Sequence, residues 1–487
     1  MKTTQQYLER RWTALILLCV AQFVVVLDAS IVNVALPSIG KGLDFSDQNL
    51  PWVVNAYVIA FGGFLLLGGR AADLLGRRRV FIAGLLVVAV ASLAAGFAAT
   101  QGQLIAARAA QGLGAAIISP SALSIVTGMF QDGAERNKAL GAWGAVAGSA
   151  GAVGVLLGGI LTQGLGWEWV LWVNVPVALI ALAFTPGLIP ESRSESATRH
   201  FDAAGAASVT AGLSVLAYAL LDASSAGWGS AKIIGLLALS AVLIATFVAI
   251  ELRSTAPLVP FRIFRLRTLT GANVVGILLG ASLFSMFFFI SLYMQQVLGY
   301  SAIHAGLSYL PLAVTIIVAA GLGGQLVTRF GFKAVLATGM AFVALGLAWF
   351  SQVSVGGGFT TDILGPSLLA AIGLGFGFVT STIAAVSGVD QREQGLASGL
   401  INTSQQIGGA LGLAVLSTIA TSRTDHVLAS GTSSLPNALT EGFQSAFLGG
   451  AVMAALGLVA TLVLIRTRDS RAHLEMARSE AAAEANA

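Results

Sequence analysis

Residues 68–84 read GGRAADLLGRRRVFIAG, and residues 323–339 read GGQLVTRFGFKAVLATG. The two stretches align without gaps at an offset of 255: Gly68, Gly69, Gly76, Val80 and Gly84 fall on Gly323, Gly324, Gly331, Val335 and Gly339, and Arg78 on Lys333. Each lies between apolar runs long enough to cross a bilayer, which takes about 20 residues. A polar turn repeated at that distance implies that the chain is built twice. Working outward, the apolar runs predict fourteen helices, near 12–38, 49–69, 79–99, 104–127, 138–161, 170–189, 203–221, 232–251, 270–296, 304–327, 333–352, 361–385, 395–421 and 442–466. The repeated turn joins the second and third helix of a six-helix set each time. The chain therefore reads as six helices, two more (203–251), and a further six.

Composition agrees. Of 487 residues, 56% are apolar and 10% are charged, whereas a soluble domain is about a quarter charged. Mean hydropathy is +0.85, and a soluble enzyme is excluded. The 58 glycines suit helices packed closely within a bilayer. Cys19 is the single cysteine and His200, His304, His426 and His473 are scattered without ligand spacing, so neither a metal nor a cofactor is expected. The net charge of +4 raises nucleic acid as a partner. Its distribution points elsewhere: 22 of the 26 Lys and Arg lie on the side of the two termini. Only Lys41, Lys232 and Arg423 lie on the other, and Arg108 is inside a helix. The positive-inside rule then puts both termini in the cytoplasm, and the basicity is a topology signal. The N-terminal apolar run is too long for a signal peptide and is expected to be a retained first helix. No GxxxxGK[ST] loop is present, so ATP drive has no support.

Four features carry chemistry. In the turn between helices 2 and 3, Gly69, Gly76 and the run Arg77, Arg78, Arg79 surround Asp73, which can cap the next helix and pair with the arginines. In helix 5, Gly144, Gly148, Gly151, Gly154, Gly158 and Gly159 make a groove for another helix by their spacing of three and four. Of the 22 acids, Asp28 is the only one expected well inside a span, where an ionisable residue is functional by default. In helix 4, Arg108 and Gln111 share a face. At 1.5 Å per residue Asp28 and Arg108 lie roughly 9 Å and 6 Å below the outer boundary, close enough to meet. Asp28 and Arg108 are the expected proton-coupling pair. The candidate substrate contacts are Asn55, Gln111, Phe284, Phe288, Tyr293, Gln295, Tyr309, Asn402 and Gln405, aromatic or neutral polar groups suited to flat, apolar ligands. For any single Phe, a lipid-facing position reads equally well.

Taken together, the 68–79 turn, the helix-5 run continuing as LTQGLGWEWVLWVNVP (161–176), LDASIVNVALPSI (27–39), LIAARAAQGLGAA (104–116) and GLASGLINTSQQIGGALGLAVLSTI (395–419) resemble the major facilitator superfamily, and within it the fourteen-helix drug:proton antiporters. The resemblance implies an all-α membrane protein of the major facilitator fold. It would comprise a six-helix bundle (1–190), a linker with two extra helices (191–268), a second bundle (269–466) and a cytoplasmic tail (467–487). It further implies a latch at Gly69, Asp73, Gly76, Arg77 and Arg78, and an antiporter motif at Gly144, Gly148, Gly154, Gly158 and Gly159. The function implied is export of a small amphipathic compound, a lipophilic monocation or a neutral planar molecule, in exchange for protons. The protein would be a monomer in a bacterial cytoplasmic membrane, with no nucleic-acid partner. Departures from the family pattern are Ala71 for Leu, Leu74 for Arg, Glu168 for Arg, and Val155 where the family usually has Pro. A transporter of a specific metabolite, peptide or siderophore is the nearest alternative, and a non-transporting receptor a more distant one.

Overall fold

The computed structural model describes residues 10–45, 49–130, 133–192, 202–254, 257–390, 393–429, 434–472 and 474–475, without the side chains at 147, 148, 152, 203, 224, 225 and 302. The first bundle holds α1 (Arg11–Gly42), α2 (Trp52–Leu75), α3 (Arg77–Gly96), α4 (Gln101–Met129), α5 (Ala134–Gly164) and α6 (Glu168–Leu188). The extra pair is α7 (Ala203–Ala226) and α8 (Ala231–Arg253). The second bundle holds α9 (Arg267–Val297), α10 (Ile303–Phe330), α11 (Phe332–Phe350), α12 (Phe359–Val386), α13 (Gln394–Ala429) and α14 (Leu435–Leu464). Among the described residues, twelve of these are long and apolar enough to span a membrane. α5 makes a thirteenth if its arms Ala134–Gly151 and Val153–Gly164, bent by 42°, form one span. The polar 36-residue α13 occupies the remaining expected position. The bend in α5 arises without a proline, among glycines.

Several boundaries differ from the sequence expectation, among them the end of α2 at Leu75 rather than 69, and the largest differences are in α13 and α14. α13 runs to Ala429 rather than 421, and α14 starts at Leu435 rather than 442. Both ends extend as a helical hairpin beyond the apolar stretch, where hydropathy gives no signal. Arg423 pairs with Glu441 at 2.6 Å, and Thr424 Oγ1 donates to the Ala438 carbonyl at 3.3 Å. Helix α6 is also broken, at Val173, which sets Asn174 at the head of its longer arm.

Packing follows the repeat. Within the first bundle α4 packs on α2 and α3, and α5 on α1; within the second, α9 packs on α13 and α14, and α12 on α10 and α11. Between the bundles, the second helix of each meets the fifth helix of the other, α2 on α13 and α10 on α5. The repeated glycines make both approaches possible. A methyl at Gly69 would lie 2.5 Å from the Gly395 carbonyl oxygen, and one at Gly324 would collide with the Asn137 carbonyl. Their turn glycines correspond too: Gly76 and Gly331 have φ of 108° and 79°, the left-handed side that favours glycine. The extra pair sits beside this seam, with α7 touching both α2 and α13 and α8 packed chiefly on α7.

Candidate functional site

Asp28 and Arg108 meet. Asp28 on α1 is 2% exposed and Arg108 on α4 is fully buried. Arg108 Nη1 donates to Asp28 Oδ2 at 2.6 Å and to Gln111 Oε1 at 2.9 Å, and its Nε donates to the Val53 carbonyl at 3.0 Å. The guanidinium carbon lies 4.5 Å from the centre of the Tyr57 ring, a cation–π contact. Gln111 Nε2 reaches Asp28 Oδ1 at 3.3 Å and Ser92 Oγ at 2.7 Å. Asn174 Nδ2 donates to Asp28 Oδ1 at 2.5 Å. Five helices of the first bundle thus close on one carboxylate. The arrangement solves the problem of a charge in a membrane, since a buried ion is tolerated when paired and its remaining lone pairs are hydrogen-bonded.

Sequence reasoning found Asp28, Arg108 and Gln111 but missed Asn174, Ser92 and Tyr57. The signal for Asn174 was available: an amide alone in an apolar run at the helix-6 start is as unusual as the acid. In this conformation the carboxylate faces side chains of its own bundle. Nor is Asp28 alone in being buried: Asp73 and Glu251, near the ends of α2 and α8, are buried as well.

The latch residues come together on the side of the termini. Asp73 Oδ2 accepts from the backbone N–H of Leu396 at 3.1 Å, at the first turn of α13 in the other bundle. Arg77 Nη2 donates to Asp73 Oδ1 at 3.2 Å, and its Nη1 to the Ser124 carbonyl at 3.4 Å. Arg78 and Arg79 both approach Glu191, at 3.7 and 3.6 Å. Glu191, read from sequence as plain linker, also accepts from the Arg78 N–H at 3.3 Å and lies so close to Gly76 that a methyl there would be 2.6 Å away. The repeat places Thr328 where Asp73 stands, and Thr328 Oγ1 accepts from Asn137 Nδ2 of α5 at 3.2 Å. The seam therefore has two pseudo-equivalent ties, one charged and one neutral.

The helix-5 glycines divide between partners. Gly154 and Gly158 let α5 lie on α1, where a methyl at Gly158 would be 2.7 Å from the Ile31 carbonyl. Gly144 faces Val379 of α12 and Gly159 faces Ile303 of α10, both in the other bundle. Gly148 lies within α5, but its packing is outside what the structure describes.

The substrate candidates do not form one cluster. Asn55 is half-buried on the α2 stripe 55, 62, 66, 69, whose inner end touches α13. Asn402 is half-buried on the α13 stripe 395, 399, 402, which faces α2, and donates to the Ser398 carbonyl at 2.9 Å. Phe284 and Phe288 are 37% and 41% exposed on α9. Gln295 is exposed and donates to Ser291 Oγ at 2.9 Å. Tyr309 is buried, stacked on Phe287 with its hydroxyl on the Phe287 carbonyl at 2.8 Å. Tyr293 is buried too, donating to the Ser354 carbonyl at 2.7 Å and lying 3.0 Å from Asp362 Oδ2, which ties α9 to the α11–α12 connection. Gln405 is buried at the α9–α13 contact, beside Gly276 and Gly280. Gln111 alone of the nine belongs to the Asp28 network.

The family model described as Major Facilitator Superfamily matches residues 18–413. The chain is 41% identical to the cephamycin export protein of Amycolatopsis lactamdurans, over 93% of this chain and 92% of that protein. It is 38% identical to a puromycin resistance protein of Streptomyces alboniger, over 93% and 90%. A multidrug transporter of Bacillus subtilis is 31% identical, over 88% and 79%. In fold, the chain is similar to the crystal structure of a human organic anion transporter, with a TM-score of 0.64 at 15% identity, covering 93% of this chain and 99% of that one.

Proposed function

Because the chain belongs to the Major Facilitator Superfamily, we propose that it exports amphipathic, antibiotic-like compounds from a bacterial cell in exchange for protons, as a monomer in the cytoplasmic membrane with both termini inside. The relatives named for cephamycin export, puromycin resistance and multidrug transport support that substrate class. The observation that carries the coupling is the Asp28–Arg108 pair, 2.6 Å apart and shut away from solvent. Ionised, Asp28 binds α1 to α4 and α6 through Arg108, Gln111 and Asn174. A proton taken up by the carboxylate removes the charge that holds Arg108, and the three helices are released from one another. Amphipathic substrate entering between the bundles from the inner side favours loss of that proton to the same side, which restores the ion pair; the loaded molecule then turns outward, releases the substrate and takes up the next proton. The seam between α2 and α13 is the inner gate, closed by Asp73 and opened when the bundles rock.

An efflux screen in a pump-deleted host tests the reading. Expression should raise resistance to several amphipathic antibiotics and lower their accumulation, and collapse of the proton gradient should abolish both. Resistance that survives collapse, or no change for any compound, contradicts it.

A further inference from the structure

The Asp28 carboxylate is surrounded by donors. Arg108 Nη1 takes Oδ2, while Asn174 Nδ2 and Gln111 Nε2 take Oδ1. Such a shell fits the ionised acid and leaves no acceptor for the hydrogen of a protonated one. One acceptor at the site is idle: Asn174 Oδ1, on a residue with no exposure, has no hydrogen-bond partner. It belongs to the same amide that already touches the carboxylate.

We propose that Asn174 is the positioning residue that lets Asp28 hold a proton: its amide donates Nδ2–H to the ionised carboxylate and, turned over, accepts the acid's O–H at Oδ1. The inference rests on the reading of Asp28 as proton carrier. On protonation an O–H bond forms at Asp28 Oδ1, and the hydrogen points at an N–H that can no longer be accepted. Rotation of the amide about its last side-chain torsion exchanges the two groups. An amide offers a donor and an acceptor of nearly identical shape, so the turn needs no repacking. In the observed orientation Oδ1 has no partner to lose, so turning the amide breaks only its bond to the carboxylate, and the proton decides between the two orientations. Among the described residues, the charged and titratable groups facing Asp28 are Arg108 of α4 and Tyr57 of α2. Tyr57 is not placed for this part: its hydroxyl is turned to the Val25 carbonyl at 2.8 Å, its ring lies on Arg108, and it makes no hydrogen bond with Asp28. Beside Asp28, α5 brings Gly154 against Leu27 and Ser30, and α3 brings Ser92, bonded to Gln111.

The test compares Asn174→Leu with Asn174→Ser in purified protein. Leu keeps the shape of Asn without donor or acceptor; Ser is smaller but supplies both. The proposal expects Leu to slow proton-coupled antiport about ten-fold, the size of a lost hydrogen bond to a charged group, and Ser to recover most of the rate. If Asn174 only fills space the order reverses, with Leu better than Ser, and the proposal falls. Infrared difference spectra between high and low pH give a second readout that loss of rate or partial unfolding does not imitate. The carboxylic-acid C=O band, assigned by its absence in Asp28→Asn, should move to higher frequency in Asn174→Leu as the O–H loses its acceptor, and return in Asn174→Ser. An unmoved band overturns the role of Asn174. If Asp28→Asn itself shows no missing band and full proton coupling, the carrier reading fails instead, and the two failures are distinct.

Discussion

Arg108 makes three kinds of contact at once: an ion pair with Asp28, a bond to a backbone carbonyl of α2 and a face-on contact with Tyr57. Lysine can reproduce the charge but not the planar fork, so Arg108→Lys should transport poorly. Arg108→Ala is the harsher change. A buried charge left without its partner costs about 3–5 kcal/mol, so proton-coupled efflux should fall further in Arg108→Ala than in Arg108→Lys. Efflux rates of the two variants at equal expression check this, and wild-type efflux in Arg108→Ala contradicts it. Asp28 and Arg108 were legible in the sequence because charges inside spans are rare. Asn174, Ser92 and Tyr57 were not. Which face of an apolar helix turns inward is set by its neighbours, and these helices are apolar on every side, so periodicity does not reveal it.

At the level of helices, the two ties across the seam on the side of the termini differ in strength. Asp73 is a carboxylate accepting at the head of α13, where the helix dipole also favours negative charge, while Thr328 offers a neutral hydroxyl to Asn137. A bond to a charged group contributes about 1.5–3 kcal/mol and a neutral one about 0.5–1.5 kcal/mol. Asp73→Asn should thus open the inner side substantially more than Thr328→Val. Distances between spin labels at the inner ends of α2 and α13 will report the open fraction, and an equal response of the two variants would contradict the ranking. The repeat that decided the fold was visible in sequence as glycines. Its second function, placing Thr328 opposite Asp73, was hidden because the residues that answer them, Asn137 and Leu396, lie far off in sequence. The hairpin of α13 and α14 was misplaced for a related reason: its ends leave the apolar layer, and beyond it apolarity no longer marks a helix.

For the whole molecule, the all-helical membrane fold was readable from hydropathy and the repeat, because a bilayer admits few solutions for a chain this apolar. The substrate route was not, since it is formed between bundles from single positions on many helices. Charge still limits it. Asp222 on α7, an acid that could supplement Asp28, is paired with Lys232 at 2.7 Å. With Asp28 as the carboxylate of exchange, lipophilic monocations and neutral planar compounds should be carried better than dications of matched size. Matched dyes in inverted vesicles at one proton gradient will compare them, and equal or better transport of the dication would show that a second acid takes part.

The most direct test of the account is proton counterflow in liposomes containing the purified protein with Asp28→Asn. Addition of a transported compound to wild type should drive a proton flux in the opposite direction. In the variant, whose amide cannot carry a proton, that flux should vanish while the protein stays folded and still binds the compound. Substrate-driven proton flux at the wild-type rate in Asp28→Asn would contradict the assignment of Asp28 as the proton carrier.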